Sequence, residues 1–171
     1  SIYVINFIIF ILHNINICHK LYNIYITQYQ YMYIFTVVDE YSRYPFAFPC
    51  SSMTTDAVIK NLLDLFALFG SPSSIHSDRG GQFESQEFKQ FLFSNGVLKT
   101  RSTPYRPQGN SQCERVNGTI QRTISLCLKN NKLSDEKWEK VLHIALSSIR
   151  SLLCTATNAT PHERMFSFNR S

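Results

Sequence analysis

The chain of 171 residues is 44% hydrophobic and 13% aromatic with only 6 Gly and 6 Pro, which fits one packed domain and excludes collagen-like or low-complexity architecture. Five cysteines, odd in number and without a CxxC pair, argue against a disulfide framework and against a zinc knuckle. The formal charge of +5 is concentrated: residues 99–132 hold Lys99, Arg101, Arg106, Arg115, Arg122, Lys129 and Lys132 against the single acid Glu114. Clustered cations are the footprint of a polyanionic partner, although a solvated basic face would read the same from charge alone.

Residues 1–30 differ in composition from the rest. They are rich in Ile, Asn and Tyr, and up to Val38 the only formal charge is Lys20. The apolar run from Ile2 to Leu12, interrupted by Asn6, is too short for a bilayer span of about 20 residues and lacks the flanks of a signal peptide. Periodicity leaves it open as a buried strand, a buried helix or translated non-native sequence. His13, Cys18 and His19 do not have paired zinc-ligand spacing.

The pattern becomes regular afterwards. Residues 31–38 are β-branched and aromatic, 39–43 are turn-like, and 44–50 form a second strand that Pro45 and Pro49 assign to an edge or bulge. Thr54 or Thr55 caps a helix with Val58, Leu62, Leu65, Phe66 and Phe69 on one stripe, ended by Gly70-Ser71-Pro72. A short strand over 74–77 leads into the turn Asp78-Arg79-Gly80-Gly81. Ser85 caps a further helix carrying Phe88, Phe91 and Leu92, closed by Asn95-Gly96 and followed by a strand over 97–102. Two prolines and a glycine make 103–110 a loop, and long helices are expected from Ser111 to about Lys129 and from Asp135 to Leu153. Strands first, then alternation, then helices define an α/β class: a mixed sheet flanked by helices.

Asp78 ends a strand, where α/β sheets present side chains to a crevice, and Glu114 opens a helix after the basic loop. Two converging carboxylates could hold Mg²⁺, a hard cation that prefers oxygen donors, for phosphoryl transfer. Each acid also has a structural reading. Asp78 is good turn chemistry, and Ser111-Gln112-Cys113-Glu114 matches a capping box.

The surrounding segments carry a further signal. YIFTVVDEYSRYPFAFP at 33–49, FGSPSSIHSDRGGQFESQEF at 69–88, STPYRPQGNSQCERVNGTIQRTI at 102–124 and TNATPHERMF at 157–166, with 35 residues between Asp78 and Glu114, resemble the integrase catalytic core of retroviruses and gypsy-like long-terminal-repeat retrotransposons, the Asp, Asp-35-Glu family. The resemblance implies a ribonuclease-H-like fold, with Asp78 and Glu114 as the second and third acidic ligands of Mg²⁺ or Mn²⁺. It also implies DNA contacts from Tyr105, Arg106, Gln108, Arg115, Asn117 and Gln121. Helical spacing allows Glu114, Asn117, Gly118 and Gln121 to line one groove, and it equally allows Asn117 and Gln121 to be ordinary surface residues.

The family relationship further implies DNA ends and target DNA as partners, homo-oligomers, no membrane association, and a nuclear location with cytoplasmic transit. One departure stands out. The family's first metal-binding Asp belongs on the strand before residues 33–39, and no acid occurs anywhere before Asp39. Asn14, Asn16, Cys18 and His19 occupy its approximate neighbourhood, and none is a hard anionic ligand. Asp39 itself corresponds to a non-catalytic turn residue. The expected organisation is therefore an atypical segment over 1–30 and an integrase core over 31–171 with its first strand degraded or replaced. The expected activity is metal-dependent 3′-end processing and strand transfer in a defective form, the alternative being an inactive nucleic-acid-binding remnant or scaffold.

Overall fold

A computed structural model describes residues 21–29, 32–101, 108–155 and 158–166. Five strands form one mixed sheet in the order β3-β2-β1-β4-β5. β1 (Leu21–Tyr29), β2 (Met32–Asp39) and β3 (Pro45–Cys50) form an antiparallel meander, and β4 (Ser74–Ser77) and β5 (Leu98–Arg101) add in parallel beside β1. β3 lies at an edge, where the missing amides of Pro45 and Pro49 leave least unpaired.

Alternation along the strands divides the core in two. Tyr22, Ile24, Phe35, Val37, Phe46 and Ile75 bury one face of the sheet. They pack with α1 (Thr55–Phe69), the short α2 (Gly81–Glu84) and α3 (Gln86–Ser94), whose Val58, Leu62, Phe83, Phe88 and Leu92 complete that core. Ile34 and Ala47 on the other face meet α4 (Gln108–Asn130) and α5 (Trp138–Ser151) through Ile120, Ile124, Leu128, Trp138 and Val141. A 3₁₀ turn, Asp135–Lys137, leads into α5.

The chain's last described element, α6 (Pro161–Phe166), fastens the β2–β3 turn. Phe166 meets Tyr44 edge-on with ring centroids 5.5 Å apart, and the Arg164 guanidinium lies 4.4 Å from the Tyr41 ring. From α5, Arg150 donates from Nε and Nη2 to the Pro45 carbonyl (3.1 and 2.9 Å) while stacking 4.4 Å over Tyr44. A reciprocal cap starts α6: Thr160 N–H donates to Glu163 Oε2 (2.7 Å), and Glu163 N–H donates to Thr160 Oγ1 (3.1 Å). The Thr160 N–H first, and the Thr160 hydroxyl after it, hold the Glu163 carboxyl below its ordinary range.

Three sequence expectations change. The loop expected over 103–110 ends earlier, because Gln108, Gly109 and Asn110 are already helical behind Pro107, whose fixed φ suits the entry to a helix. Ser111 is consequently inside α4 and not at its start. The Gly80-Gly81 turn runs directly into α2, a helical turn the sequence pattern did not indicate. The strand before residues 33–39 is β1, whereas Asn14, Asn16, Cys18 and His19 lie outside the described residues.

Candidate active site on the α4 face of the sheet

Asp78 immediately follows β4. Strand alternation puts Ile75 and Ser77 toward the α1 side and His76 and Asp78 toward α4. Asp78 Oδ1 accepts the Gly80 N–H at 2.8 Å, a tight Asx turn that fixes the carboxylate; Oδ2 has no hydrogen bond in the described structure. Both the turn reading of Asp78 and its placement at a strand end are therefore realised in the same residue.

The turn is pinned from two directions. Lys99, only 12% exposed in its side chain, donates from Nζ to the Phe83 carbonyl and pairs with Glu84 Oε1 at 2.7 Å. From α1, the Thr55 hydroxyl donates to the Gln82 carbonyl (3.1 Å), and Ser85 Oγ caps α3 by accepting Phe88 N–H (3.1 Å). Phe83 is fully buried beneath.

His76 faces α4 beside Asn23 of β1 and Thr100 of β5. Its Nδ1 lies 3.1 Å from Thr100 Oγ1, and the Thr100 hydroxyl lies 3.3 Å from the Ile75 carbonyl, to which it donates. With that proton committed, Nδ1–H is the donor of the pair, leaving Nε2 as a buried lone pair without a partner. Burial drives the His76 pKa down, opposed in part by the Glu40 carboxylate.

On β1 the register pairs Asn23 with His76 and Ile24 with Ser77, so Tyr25 is the next position along, beside Asp78. The whole strand, LYNIYITQY, contains no acid. Asp39 lies at the other end of the β1–β2 ladder, opposite Tyr22. It is 3% exposed and accepts both the Ser42 N–H (2.7 Å) and the Ser42 hydroxyl (2.5 Å), a turn-forming role as expected. Burial, reinforced by that carboxylate, pushes the Tyr22 phenol far up from its ordinary value.

α4 packs across β1. Asn117 is 8% exposed and faces the interior together with Ile120, Ile124 and Leu128, while Gln121 is half-buried. Arg115, Arg122 and Lys129, seven residues apart, are exposed on the opposite side of the helix. The backbone of Glu114 lies on α4, three residues before Asn117. The side chains of Gln108 and Glu114, and the whole of Tyr105 and Arg106, lie outside the described residues. His76 and Gln82 join the site without having been singled out in the sequence; their only signal is membership of the segment around Asp78.

A sheet of this order, flanked by helices, with an acid at the end of β4 and a long helix crossing β1, is the ribonuclease-H-like arrangement of integrase catalytic cores. The model of the integrase core domain family matches residues 18–107, and the chain belongs to that family. Among curated relatives, a Pro-Pol polyprotein of feline foamy virus is 31% identical over 136 residues, 80% of this chain and 11% of the relative. The Tf2-3 transposon polyprotein of Schizosaccharomyces pombe is 29% identical over 78% of this chain and 10% of the relative. The chain thus spans about a tenth of these polyproteins. Among solved structures, the simian T-cell lymphotropic virus intasome in complex with PP2A regulatory subunit B56 gamma is similar with a TM-score of 0.74 and 27% identity, covering 86% of this chain and 54% of that one. The HTLV-2 integrase catalytic core domain in complex with magnesium shares the fold, with a TM-score of 0.71 at 22% identity over 86% of this chain and 95% of that one.

Integrase cores depend on divalent metal in general. β1 brings Asn23 and Tyr25, and no acid, to the positions beside His76 and Asp78, so this strand supplies no third carboxylate for such a site. An amide or phenol in place of a carboxylate removes a negative charge from the centre that two cations would share.

Proposed function

We propose that this chain is the core portion of a retroelement DNA integrase in which metal-dependent 3′-end processing and strand transfer are defective. The observation that carries this reading is the acid-free β1 beside Asp78. Preorganised charge at the reacting phosphorus is usually the largest catalytic contribution, so loss of one acidic ligand would remove charge that holds a divalent cation there while the fold persists. Asp78 and Glu114 are then the surviving metal ligands for Mg²⁺ or Mn²⁺. The first strand of the core, β1, falls within the compositionally atypical 1–30 and has been altered there, and residues 31–171 supply the rest of the core.

The same chain retains the features of a DNA-binding surface: Arg115, Arg122 and Lys129 are exposed on α4, and no acid occurs between Arg115 and Leu133. This supports the second reading, a nucleic-acid-binding remnant or scaffold, and makes retroelement ends and target DNA the partners. Tyr105, Arg106, Gln108, Gln121 and Asn117 complete the proposed DNA contacts, Asn117 from the sheet-facing side of α4, opposite Arg115, Arg122 and Lys129. Multimeric action and a nuclear site of action after cytoplasmic transit follow from the lineage. No helix among the described residues is long and apolar enough to cross a membrane.

A strand-transfer and disintegration assay with Mn²⁺ and with Mg²⁺, using Glu114→Gln as control, tests the proposal. Activity no higher than the control, from folded protein that binds DNA, is expected. Activity abolished by Glu114→Gln would refute the defect.

A further inference from the structure

The two edges of the sheet are finished differently. At β3, Pro45 and Pro49 remove amides that a further strand would need, and Arg150 lies across the start of the strand. β5, at the other edge, has no proline, and no described strand pairs on its far side. Leu98 N–H donates to the Ser73 carbonyl at 3.0 Å, so the parallel register turns the main-chain groups of Leu98 and Thr100 toward β4 and those of Lys99 away from it. The Lys99 amide and carbonyl form an open template for another strand.

Apolar surface stands on both sides of that edge. Leu98 is 70% exposed, on the side of the sheet where Thr100 meets His76. Phe93 is 86% exposed, the highest value among the large hydrophobic residues described, and belongs to α3 on the opposite side. The turn between them, with Gly96 in the left-handed region (φ 68°) and Val97 N–H donating to the Leu92 carbonyl, returns the chain to the start of β5.

Residues 1–20 lie outside the described residues, and their point of attachment limits where they can go. Leu21, the first residue of β1, is opposite Ser74 of β4, which is opposite Leu98 of β5. Two strand spacings, about 10 Å, separate Leu21 from Leu98. The stretch from His13 to Lys20 spans up to roughly 26 Å when extended, so Ile2–Leu12 reaches β5 easily. That segment, IYVINFIIFIL, has no charge and only Asn6 outside the apolar set, and its Ile, Val, Tyr and Phe favour strands. Exposed Leu152 and Leu153 follow Arg150 at the β3 edge, where the prolines oppose strand addition.

We propose that Ile2–Leu12 docks on the open edge of β5 in the same chain as a further strand, its side chains covering Phe93 and Leu98. The uncharged composition of the segment then reflects burial, and the unprotected edge of the sheet is closed by a preceding part of the chain itself.

The test is amide hydrogen exchange, read by NMR on the full 171-residue chain. Lys99 N–H is expected to exchange at least about tenfold more slowly than in the double variant Ile5→Pro, Ile9→Pro, which removes two strand amides while keeping the segment apolar. The Leu98 and Thr100 amides, bonded to β4, should stay protected in both and report that the sheet remains folded. Photo-crosslinking with Phe93→p-benzoylphenylalanine, in an equal mixture of unlabelled and ¹⁵N-labelled chains, should join position 93 to residues 2–12 of the same isotope. Fast exchange of Lys99 in the unmodified chain would overturn the proposal, the edge then being bare. Slow exchange that survives the two prolines, or crosslinks that miss residues 2–12, would overturn this occupant. Crosslinks of mixed isotope would put the segment on a second copy and overturn docking within one chain.

Discussion

β1 and β4 lie side by side in one sheet, yet only β4 ends in an acid. β4 delivers Asp78 into a turn held by its own Asx bond and by Lys99 from β5 and Thr55 from α1. β1 puts Asn23 and Tyr25 at the adjoining positions. Their opposite faces are alike: Tyr22, Ile24 and Ile75 pack into the same core. A strand's contribution to stability is carried by one face and its chemistry by the other, so the second can be lost without the first.

Breaking the shared face gives the largest expected effect. Phe88, fully buried in the α3 core, should cost about 3–5 kcal/mol on truncation to alanine, and Ile24→Ala in β1 about 2–5 kcal/mol. Both should lower the midpoint of a single cooperative urea transition. A separate early transition in Ile24→Ala would mean that β1 melts apart from β4 and that the two strands do not share one core.

The turn beyond β4 is held by its own bonds, apart from β1. Lys99→Met removes the bonds to the Phe83 carbonyl and Glu84 and should cost about 2 kcal/mol, consistent with hydrogen bonds to a charged group. Amide exchange should accelerate locally over residues 78–84 while β1 amides stay unchanged. Acceleration of both strands equally would contradict a turn wired independently of β1.

A smaller effect comes from α6, which braces the β2–β3 turn far from Asp78. Thr160→Ala should cost about 1 kcal/mol through loss of the cap. The depressed Glu163 pKa fixes the sign with pH. Its stabilisation is complete above the unfolded glutamate value of about 4.3 and is lost as pH falls through the lower folded value. Thermal melts from pH 6 to pH 3 should therefore show a steeper loss in the unmodified chain than in Glu163→Gln.

Charge on the outer side of α4 should change stability least. Arg122→Ala and Lys129→Ala should each reduce the slope of log K against log salt for duplex DNA by about 0.9, the share of a single neutralised phosphate. Unchanged slopes would leave that helix face merely solvated.

Much of the scaffold was legible because its signals are local. Thr54 accepts the Ala57 N–H and Ser85 the Phe88 N–H as their cap positions require, and Pro45 and Pro49 indicate an edge. α2 was hidden because the Lys99 anchor comes from 15 residues further along the chain. β1 was ambiguous because Tyr, Ile, Asn and Thr alternate without charge, and only its pairing with β2 and β4 decides which side faces the core. The place of Asp78 at a strand end, in a turn, was legible from the motif around it. The Gln82 approach to it depends on how the backbone turns at Gly80, which no spacing encodes.

We propose that one missing carboxylate on β1 separates this fold from its chemistry. The most direct measurement is divalent-dependent DNA joining by Tyr25→Asp and Asn23→Asp chains whose folding is verified by circular dichroism and whose DNA affinity matches the unmodified chain. Joining that rises at least tenfold in one of them, and disappears again with Glu114→Gln, is the expected result. Two folded, DNA-binding repaired chains with no gain would contradict the claim and put the defect elsewhere in the core.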